Sequence, residues 1–145
     1  MQQRTLGQTR TPISAIGYGA MSFSDFYGPT DDEKSFAILD RCMDLGITHL
    51  DTSNVYGLGL SEQRIGAYLE QRGQQARNFF TIATKAGIAS KPDGSRYYNN
   101  SPEHLRKELD GSLQRLGVEQ VELLYVHRRD ASVPIEEVAQ SLAEL

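Results

Sequence analysis

Four side chains that can hold or transfer protons stand at, or just beyond, the ends of apolar stretches: Asp51, Tyr56, Lys85 and His127. A phenol is a weak acid at neutral pH, and a nearby ammonium favours its ionised form. A carboxylate beside that ammonium keeps it charged and fixed in place, and a neutral imidazole can hold a carbonyl oxygen by a hydrogen bond. Together these residue types could donate a proton to a carbonyl oxygen as hydride arrives at the carbon.

Each of these residues also has an ordinary structural interpretation. Asp51 could begin a turn, and Tyr56 could pack on the surface as a loop residue. His127 could be a hydrogen-bonded core histidine, and Lys85 could lie in solvent, although an unpaired ammonium after a buried strand is costly. The four ordinary interpretations have to hold independently, whereas one site accounts for all four residues. We therefore favour the site.

The apolar pattern predicts a short hairpin over residues 6–13, and then four strands that are each followed by a helix. The strands are predicted at residues 16–19, 47–51, 79–85 and 121–126. Residues 86–100 are polar and are predicted to form a long loop. Thr30 and Ser61 are the predicted N-caps of the first two helices, Ser101 with Pro102 opens the third, and Pro134 opens the fourth.

Strands that alternate with helices imply a parallel sheet with right-handed crossovers. A doubly wound dinucleotide-binding sheet is disfavoured, because residues 17–19 match only the start of G-x-G-x-x-G and a loop follows them. The expected fold class is α/β: the N-terminal half of a (β/α)8 TIM barrel, with an N-terminal β-hairpin and about four parallel strand-helix units. Catalytic groups of such barrels gather at the C-terminal ends of the strands, where Asp51, Lys85 and His127 fall.

Composition narrows the class of protein. Hydrophobic residues make up 39% of the 145 residues, and the formal net charge is -4. These values indicate a globular domain without a basic surface, so we expect no nucleic acid partner. No apolar run is long enough to cross a membrane, so we expect no membrane partner and a cytoplasmic location. The single cysteine, Cys42, lies on an apolar helix stripe and is interpreted as a core residue.

No metal site is expected from the sequence. The three histidines, His49, His104 and His127, fall on different predicted elements, and no cysteine–histidine cluster exists. The sequence also lacks a G-x-S-x-G nucleophile motif and a phosphate-binding P-loop.

Four segments of the sequence carry a family resemblance. Residues 51–57, Asp-Thr-Ser-Asn-Val-Tyr-Gly, are similar to the motif around the catalytic aspartate and tyrosine of the aldo-keto reductase family. Residues 84–85 and 124–128 are similar to the lysine and histidine segments, and residues 16–21 to the first strand. The resemblance runs from about residue 4 to the end of the chain, and the His127-Arg128 form is similar to the bacterial and plant general aldo/keto reductases.

The resemblance implies an NADPH-dependent enzyme that reduces aldehydes or ketones to alcohols, with a small-molecule carbonyl compound as substrate. It implies that Tyr56 is the general acid, that Lys85 and Asp51 tune it, and that His127 orients the substrate carbonyl. Three residues match the segment along the nicotinamide, to which Asp51 also contributes: Gly19, Ala20 and Met21. Phe23 and Tyr27 are candidate walls of the substrate pocket, although loop packing explains them equally well.

A complete barrel of this type needs roughly 250 residues, and residues 1–145 supply four strand-helix units of eight. We therefore expect one partial barrel domain that is truncated in its fourth helix and has little reductase activity alone. The two open sheet edges would allow self-association. Alternatives are an NADPH-binding regulatory subunit of the same fold that serves a partner protein, or an inactive half-barrel. The choice of NADPH over NADH rests on the resemblance.

Overall fold

The computed structural model describes residues 1–91 and 93–145, beginning with the predicted antiparallel hairpin. Its strands are β1 (Gln3–Leu6) and β2 (Thr11–Ser14). Two hydrogen bonds connect this hairpin to Thr48, which directly precedes a later strand. The Ser14 N–H donates to the Thr48 hydroxyl, and the Thr48 N–H donates to the Ser14 hydroxyl, each at 2.9 Å. The hairpin therefore lies at the amino end of the main sheet.

The main sheet has four parallel strands. In order across the sheet they are β3 (Tyr18–Gly19), β4 (His49–Asp51), β5 (Thr81–Ala86) and β8 (Leu123–Val126). Because neighbouring strands are parallel, their carboxyl ends meet at one edge. This sheet and the helices between its strands confirm the predicted α/β class and the partial (β/α)8 barrel.

A helix follows each strand of the main sheet. The four helices are α1 (Asp32–Leu45), α2 (Leu60–Arg72), α4 (Pro102–Leu116) and α5 (Ile135–Ala143). A short 3-10 helix, Ala20–Ser24, lies between β3 and α1, and α3 (Gln74–Phe79) directly follows α2. Phe79 therefore ends a helix, and β5 begins later than predicted, because packing outweighs the strand propensity of the aromatic residues.

The helix starts correct two predicted caps. The N-cap of α1 is Asp31 rather than Thr30, because the Asp31 carboxylate accepts a hydrogen bond from the Lys34 N–H. The N-cap of α2 is Gly59, and Ser61 lies inside the helix, where its hydroxyl is buried and bonded elsewhere. Prediction and structure agree at Ser101, whose hydroxyl accepts from the His104 N–H as the α4 cap.

Most of the predicted polar loop over residues 86–100 is a second hairpin. Its antiparallel strands are β6 (Ile88–Ser90) and β7 (Arg96–Tyr98). Pro92, which falls between them, lies outside the described residues. The backbone N–H of Asn99 donates to the Gly87 carbonyl at 3.0 Å, so the hairpin is anchored just beyond the carboxyl end of β5.

The core lies between the sheet and the helices. Phe23, Leu39, Leu50 and Ile65 are fully buried in it, and Cys42 is 4% exposed, which confirms its predicted core position. Helices α2 and α4 pack closely because α2 has a glycine at the crossing. A Cβ atom at Gly66 would stand 2.2 Å from the Arg115 carbonyl oxygen, so only glycine permits this approach. Among the described residues, no helix is both long enough and apolar enough to span a membrane.

Candidate active site

Strand register brings the first part of the site together. Asp51, the last residue of β4, pairs with Gly19 on one side and Ala83 on the other. Lys85 lies two residues beyond Ala83 on β5, so its side chain has the same orientation across the pleat and reaches the end of β4. The carboxylate and the ammonium therefore meet at the carboxyl edge of the sheet.

The Lys85 ammonium uses each of its donors on a different partner. Nζ donates to Asp51 Oδ1 at 2.5 Å, to the Thr52 carbonyl at 2.8 Å and to the Tyr56 hydroxyl oxygen at 3.0 Å. The side chain is 14% exposed, whereas that of Asp51 is 33% exposed. Because an ammonium has three donors and no acceptor, this set of partners uses all of its hydrogens and fixes its position.

A tight loop after β4 carries Tyr56 to the lysine. The Thr52 N–H donates to the Ala83 carbonyl at 2.9 Å, which extends the β4–β5 pairing by one bond. The Thr52 hydroxyl bonds to the Ser61 hydroxyl at 2.9 Å, so the loop is held against α2. Gly57 follows the tyrosine with φ of 61°, and a Cβ there would stand 2.9 Å from Ser24 Cβ. The turn that presents Tyr56 therefore requires glycine at the next position.

His127 follows β8 directly, and its backbone N–H donates to the Ala86 carbonyl at 2.7 Å. Its ring lies edge-on to the Tyr56 ring, with the centroids 5.8 Å apart. Its Nδ1 lies 3.0 Å from the Ser53 hydroxyl, which leaves Nε2 available to a ligand. Burial, followed by the positive charges of Lys85 and Arg128, holds the pKa of His127 below its ordinary value of 6.5. The imidazole is therefore neutral at pH 7.

A cavity of about 580 Å³ opens beside this cluster, and both Tyr56 and His127 line it. Met21 lines it as well. Of the two candidate substrate walls, Phe23 is fully buried in the core and lies outside this lining. Tyr27 is 74% exposed and is also absent from the lining, whereas its neighbour Phe26 belongs to it.

The predicted nicotinamide segment lies at the start of the 3-10 helix. Gly19 is exposed, and apart from its two chain neighbours no atom of the described residues lies within 4 Å of the position that a Cβ would occupy. Ala20 is fully buried, and its carbonyl accepts a hydrogen bond from the Ser61 hydroxyl at 2.8 Å. Met21 faces the cavity, so the open surface of this segment is formed by Gly19 and Met21.

The structure adds residues to the site that sequence reasoning missed. Ser53 contacts the His127 ring, and its position inside the 51–57 motif was an available signal. Arg96 and Tyr98 line the cavity from β7, a strand within the segment that was predicted to be a polar loop. Arg128 lines it from the position after His127. No sequence pattern predicts that residues of β7 and the residue after His127 line the same cavity.

Comparison with known proteins shows which family the sequence matches. The model of the Aldo/keto reductase family matches residues 15–145. The NADP(+) aldo-keto reductase yakc of Schizosaccharomyces pombe is 39% identical over 140 residues, 96% of this chain and 40% of that protein. The L-glyceraldehyde 3-phosphate reductase of Escherichia coli strain K12 is 37% identical over 99% of this chain and 41% of that protein.

A solved structure shows the same fold. The holo form of an aldo-keto reductase from Bacillus halodurans superimposes with a TM-score of 0.84 at 31% identity, covering 100% of this chain and 46% of that one. The chain thus spans about 40% of the length of the curated relatives that it matches.

Proposed function

The chain belongs to the aldo/keto reductase family, and we propose that it reduces aldehydes or ketones to alcohols with NADPH, with Tyr56 as the general acid. The proposal is carried by one observation: the Lys85 ammonium bonds both the Asp51 carboxylate and the Tyr56 hydroxyl oxygen. The phenol accepts from the ammonium, so its own proton is not used in that contact. Because Tyr56 lines the cavity, that proton can be donated to a bound substrate.

Tyr56, His127 and Lys85 have different roles in the proposed carbonyl reduction. A carbonyl oxygen placed between Tyr56 and His127 would receive hydrogen bonds from the phenol and from the imidazole Nε2. As the carbon gains hydride, the oxygen gains negative charge and takes the proton of Tyr56, which gives the alcohol. The Lys85 ammonium stabilises the phenolate that remains, and solvent returns the proton.

The open surface beside the site fits the nicotinamide end of NADPH, whose chemistry when bound is to supply hydride. Gly19 offers a bare backbone face with free space above it, and Met21 faces the cavity that Tyr56 lines. The one-third exposed Asp51 carboxylate lies in register beside Gly19. Ala20 would act through its place in the segment, because its side chain is buried. The NADP(+) in the name of the fission yeast relative supports the choice of cofactor.

Oxidation of NADPH with an aromatic aldehyde tests the proposal, measured side by side for this chain, which is expected to have little activity alone, and for a full-length version. The Tyr56→Phe variant of the full-length version is compared with its wild type. Loss of the acid should lower turnover by about 10²- to 10⁴-fold while NADPH binding is retained. Tyr125→Phe is the matched control, because Tyr125 is 40% exposed on β8 and lies outside the cavity lining. Unchanged turnover in Tyr56→Phe would remove the tyrosine from the mechanism.

The same experiment separates the alternatives. A full-length version that binds NADPH without turnover would support a cofactor-binding subunit of this fold. A full-length version that neither binds NADPH nor reduces the aldehyde would contradict the proposal.

A further inference from the structure

We propose that this cavity selects carbonyl substrates that carry an anionic group, a carboxylate or a phosphate, and that Arg96 and Arg128 bind that group. The inference deepens the proposed function, since the carbonyl chemistry is taken from it. The location of the two side chains comes first. Arg96 lies on β7 and Arg128 directly follows His127, and both line the cavity that Tyr56 and His127 line. Two guanidinium groups from separate elements therefore share a space with the proton donor.

The charge of this cavity is uncompensated. Within residues 1–91 and 93–145, no aspartate or glutamate lines it, and neither Arg96 nor Arg128 forms a side-chain hydrogen bond or ion pair. Four other arginines of the chain each pair with a carboxylate: Arg41 with Asp44, Arg64 with Asp32, Arg72 with Asp40, and Arg115 with Glu62. A guanidinium without a partner in a concave site is suited to bind the oxygens of a carboxylate or phosphate in a bidentate manner.

The backbone around both arginines is held in place. The buried Asn100 amide donates to the Arg128 carbonyl at 3.0 Å, and its oxygen accepts from the Asp130 N–H at 2.6 Å. The same segment anchors the hairpin of Arg96, because the Asn99 N–H donates to the Gly87 carbonyl at 3.0 Å. One short segment between β7 and α4 thus connects the supports of both charges. Because the backbone that carries both arginines is already fixed, only their side chains have to be ordered when a ligand binds.

The field of the two arginines reaches the reacting end of the cavity. Both positive charges contribute to the lowered pKa of His127. The remaining walls include apolar and aromatic side chains, among them Met21, Phe26 and Tyr98. The preferred substrate is therefore a small carbonyl compound whose body is apolar or aromatic and whose far end is anionic.

Matched substrates test the inference. The values of kcat/KM with NADPH are compared for 4-carboxybenzaldehyde, 4-formylphenyl phosphate and the neutral methyl 4-formylbenzoate. We expect at least one of the two anionic aldehydes to be preferred about tenfold or more over the ester, and this preference to decrease with added salt. Arg96→Gln and Arg128→Gln should each remove most of the preference by raising KM for the anionic aldehydes. Comparison of kcat/KM between 4-formylphenyl phosphate and 4-carboxybenzaldehyde then shows which anionic group is preferred.

Arg129→Gln is the matched control, since it removes the same charge from the neighbouring position, and Arg129 is exposed outside the cavity lining. It should retain the preference. Equal kcat/KM for all three aldehydes in the wild type, or equal losses in all three arginine variants, would overturn the inference.

A binding measurement separates this inference from the proposed function. Benzoate and neutral methyl benzoate are titrated into the same four proteins, and the NMR signals of the arginine side chains are followed. Binding of benzoate but not of the ester, lost in Arg96→Gln and Arg128→Gln, supports the anion site even if no aldehyde is reduced. Failure of the two variants to bind NADPH, with benzoate binding unchanged, would assign the arginines to the cofactor phosphates and overturn the inference.

Discussion

Two neighbouring residues of β5, Thr84 and Lys85, belong to two clusters that contain the same three chemical groups: a carboxylate, a cation and a hydroxyl. The open cluster, at the carboxyl edge of the sheet, consists of Asp51, Lys85 and Tyr56. The closed cluster, between β5, α2 and α4, consists of Glu62, Arg115 and Thr84. Successive side chains of a strand point to opposite faces, so one strand supplies both clusters.

The clusters differ in how the hydroxyl proton is used. In the closed cluster the Thr84 hydroxyl donates to Glu62 Oε1 at 2.5 Å, and both residues are fully buried. In the open cluster the Tyr56 hydroxyl accepts from Lys85, and Tyr56 faces a cavity. The same groups therefore form a structural connection where the proton is used internally, and a candidate acid where it is left for a ligand.

Lys85→Met should give the largest effect, and it should be on turnover. Without the ammonium the phenol loses its partner, and we expect turnover of an aromatic aldehyde to fall by about 10²- to 10⁴-fold. The free energy of unfolding should change by only about 1 kcal/mol, because Asp51 is one-third exposed and stays solvated. NADPH oxidation and urea unfolding measure the two quantities. Lys107→Met, on the exposed face of α4, is the control.

Glu62→Gln should give the opposite result. Arg115, whose side chain is 26% exposed, would lose a charged partner that is fully buried, so the free energy of unfolding should fall by about 3 kcal/mol, measured in urea. Turnover per folded molecule should stay the same. Glu70→Gln, on an exposed position of the same helix, should leave stability unchanged. If Glu62→Gln instead reduced turnover and left stability intact, the distinction between the clusters would be wrong.

Thr84→Val removes one hydroxyl from the closed cluster at nearly constant volume. The expected loss is about 2 kcal/mol of unfolding free energy, because one oxygen of a buried carboxylate loses its donor. Thr81→Val is the matched control on the same strand. Thr81 is 8% exposed, and its hydroxyl has no hydrogen bond within the described part of the chain. Equal losses in the two variants would show that the bond to Glu62 contributes nothing.

The smallest expected effect is the contribution of His127 to the pH dependence of the free energy of unfolding. The pKa of His127 is held below 6.5 by burial and then by the charge of Lys85, so the unfolded chain binds this proton more readily than the folded one. The contribution of His127 to stability is therefore constant above about pH 6.5 and decreases as pH falls below it. In His127→Gln this part of the pH dependence should disappear. Lys85→Met should raise the pKa of His127, measured by NMR titration; a lower or unchanged value would contradict this account.

Much of the site could be predicted from local sequence. Asp51, Lys85 and His127 were located because apolar strands end at or just before them, and parallel strands bring such ends to one edge. Tyr56 was located because it lies five residues after Asp51, within the segment 51–57. Their roles in catalysis stay predictions, whereas their proximity is a property of the fold.

The wrong loop prediction and the two open interpretations of Phe23 have a common cause. Residues 86–100 were predicted as a loop because they are polar. Their strands β6 and β7 pair with each other, but β6 is only partly buried and β7 is exposed. Phe23 and Phe26 lie three residues apart in one aromatic stretch, and no local pattern tells which faces the core. Packing of the 3-10 helix against α2 places Phe23 inside and leaves Phe26 to the cavity.

The sequence by itself determined the alternation of strands and helices, the helix start at Ser101, and the set of polar residues that share one sheet edge. These depend on periodicity, capping and strand ends, which are local. Tertiary structure alone decided which partner takes each proton of Lys85, that Ser53 contacts the His127 ring, and that Arg96 lies in one cavity with Arg128. Such contacts join residues far apart in the chain, so their geometry exists only once the elements have packed.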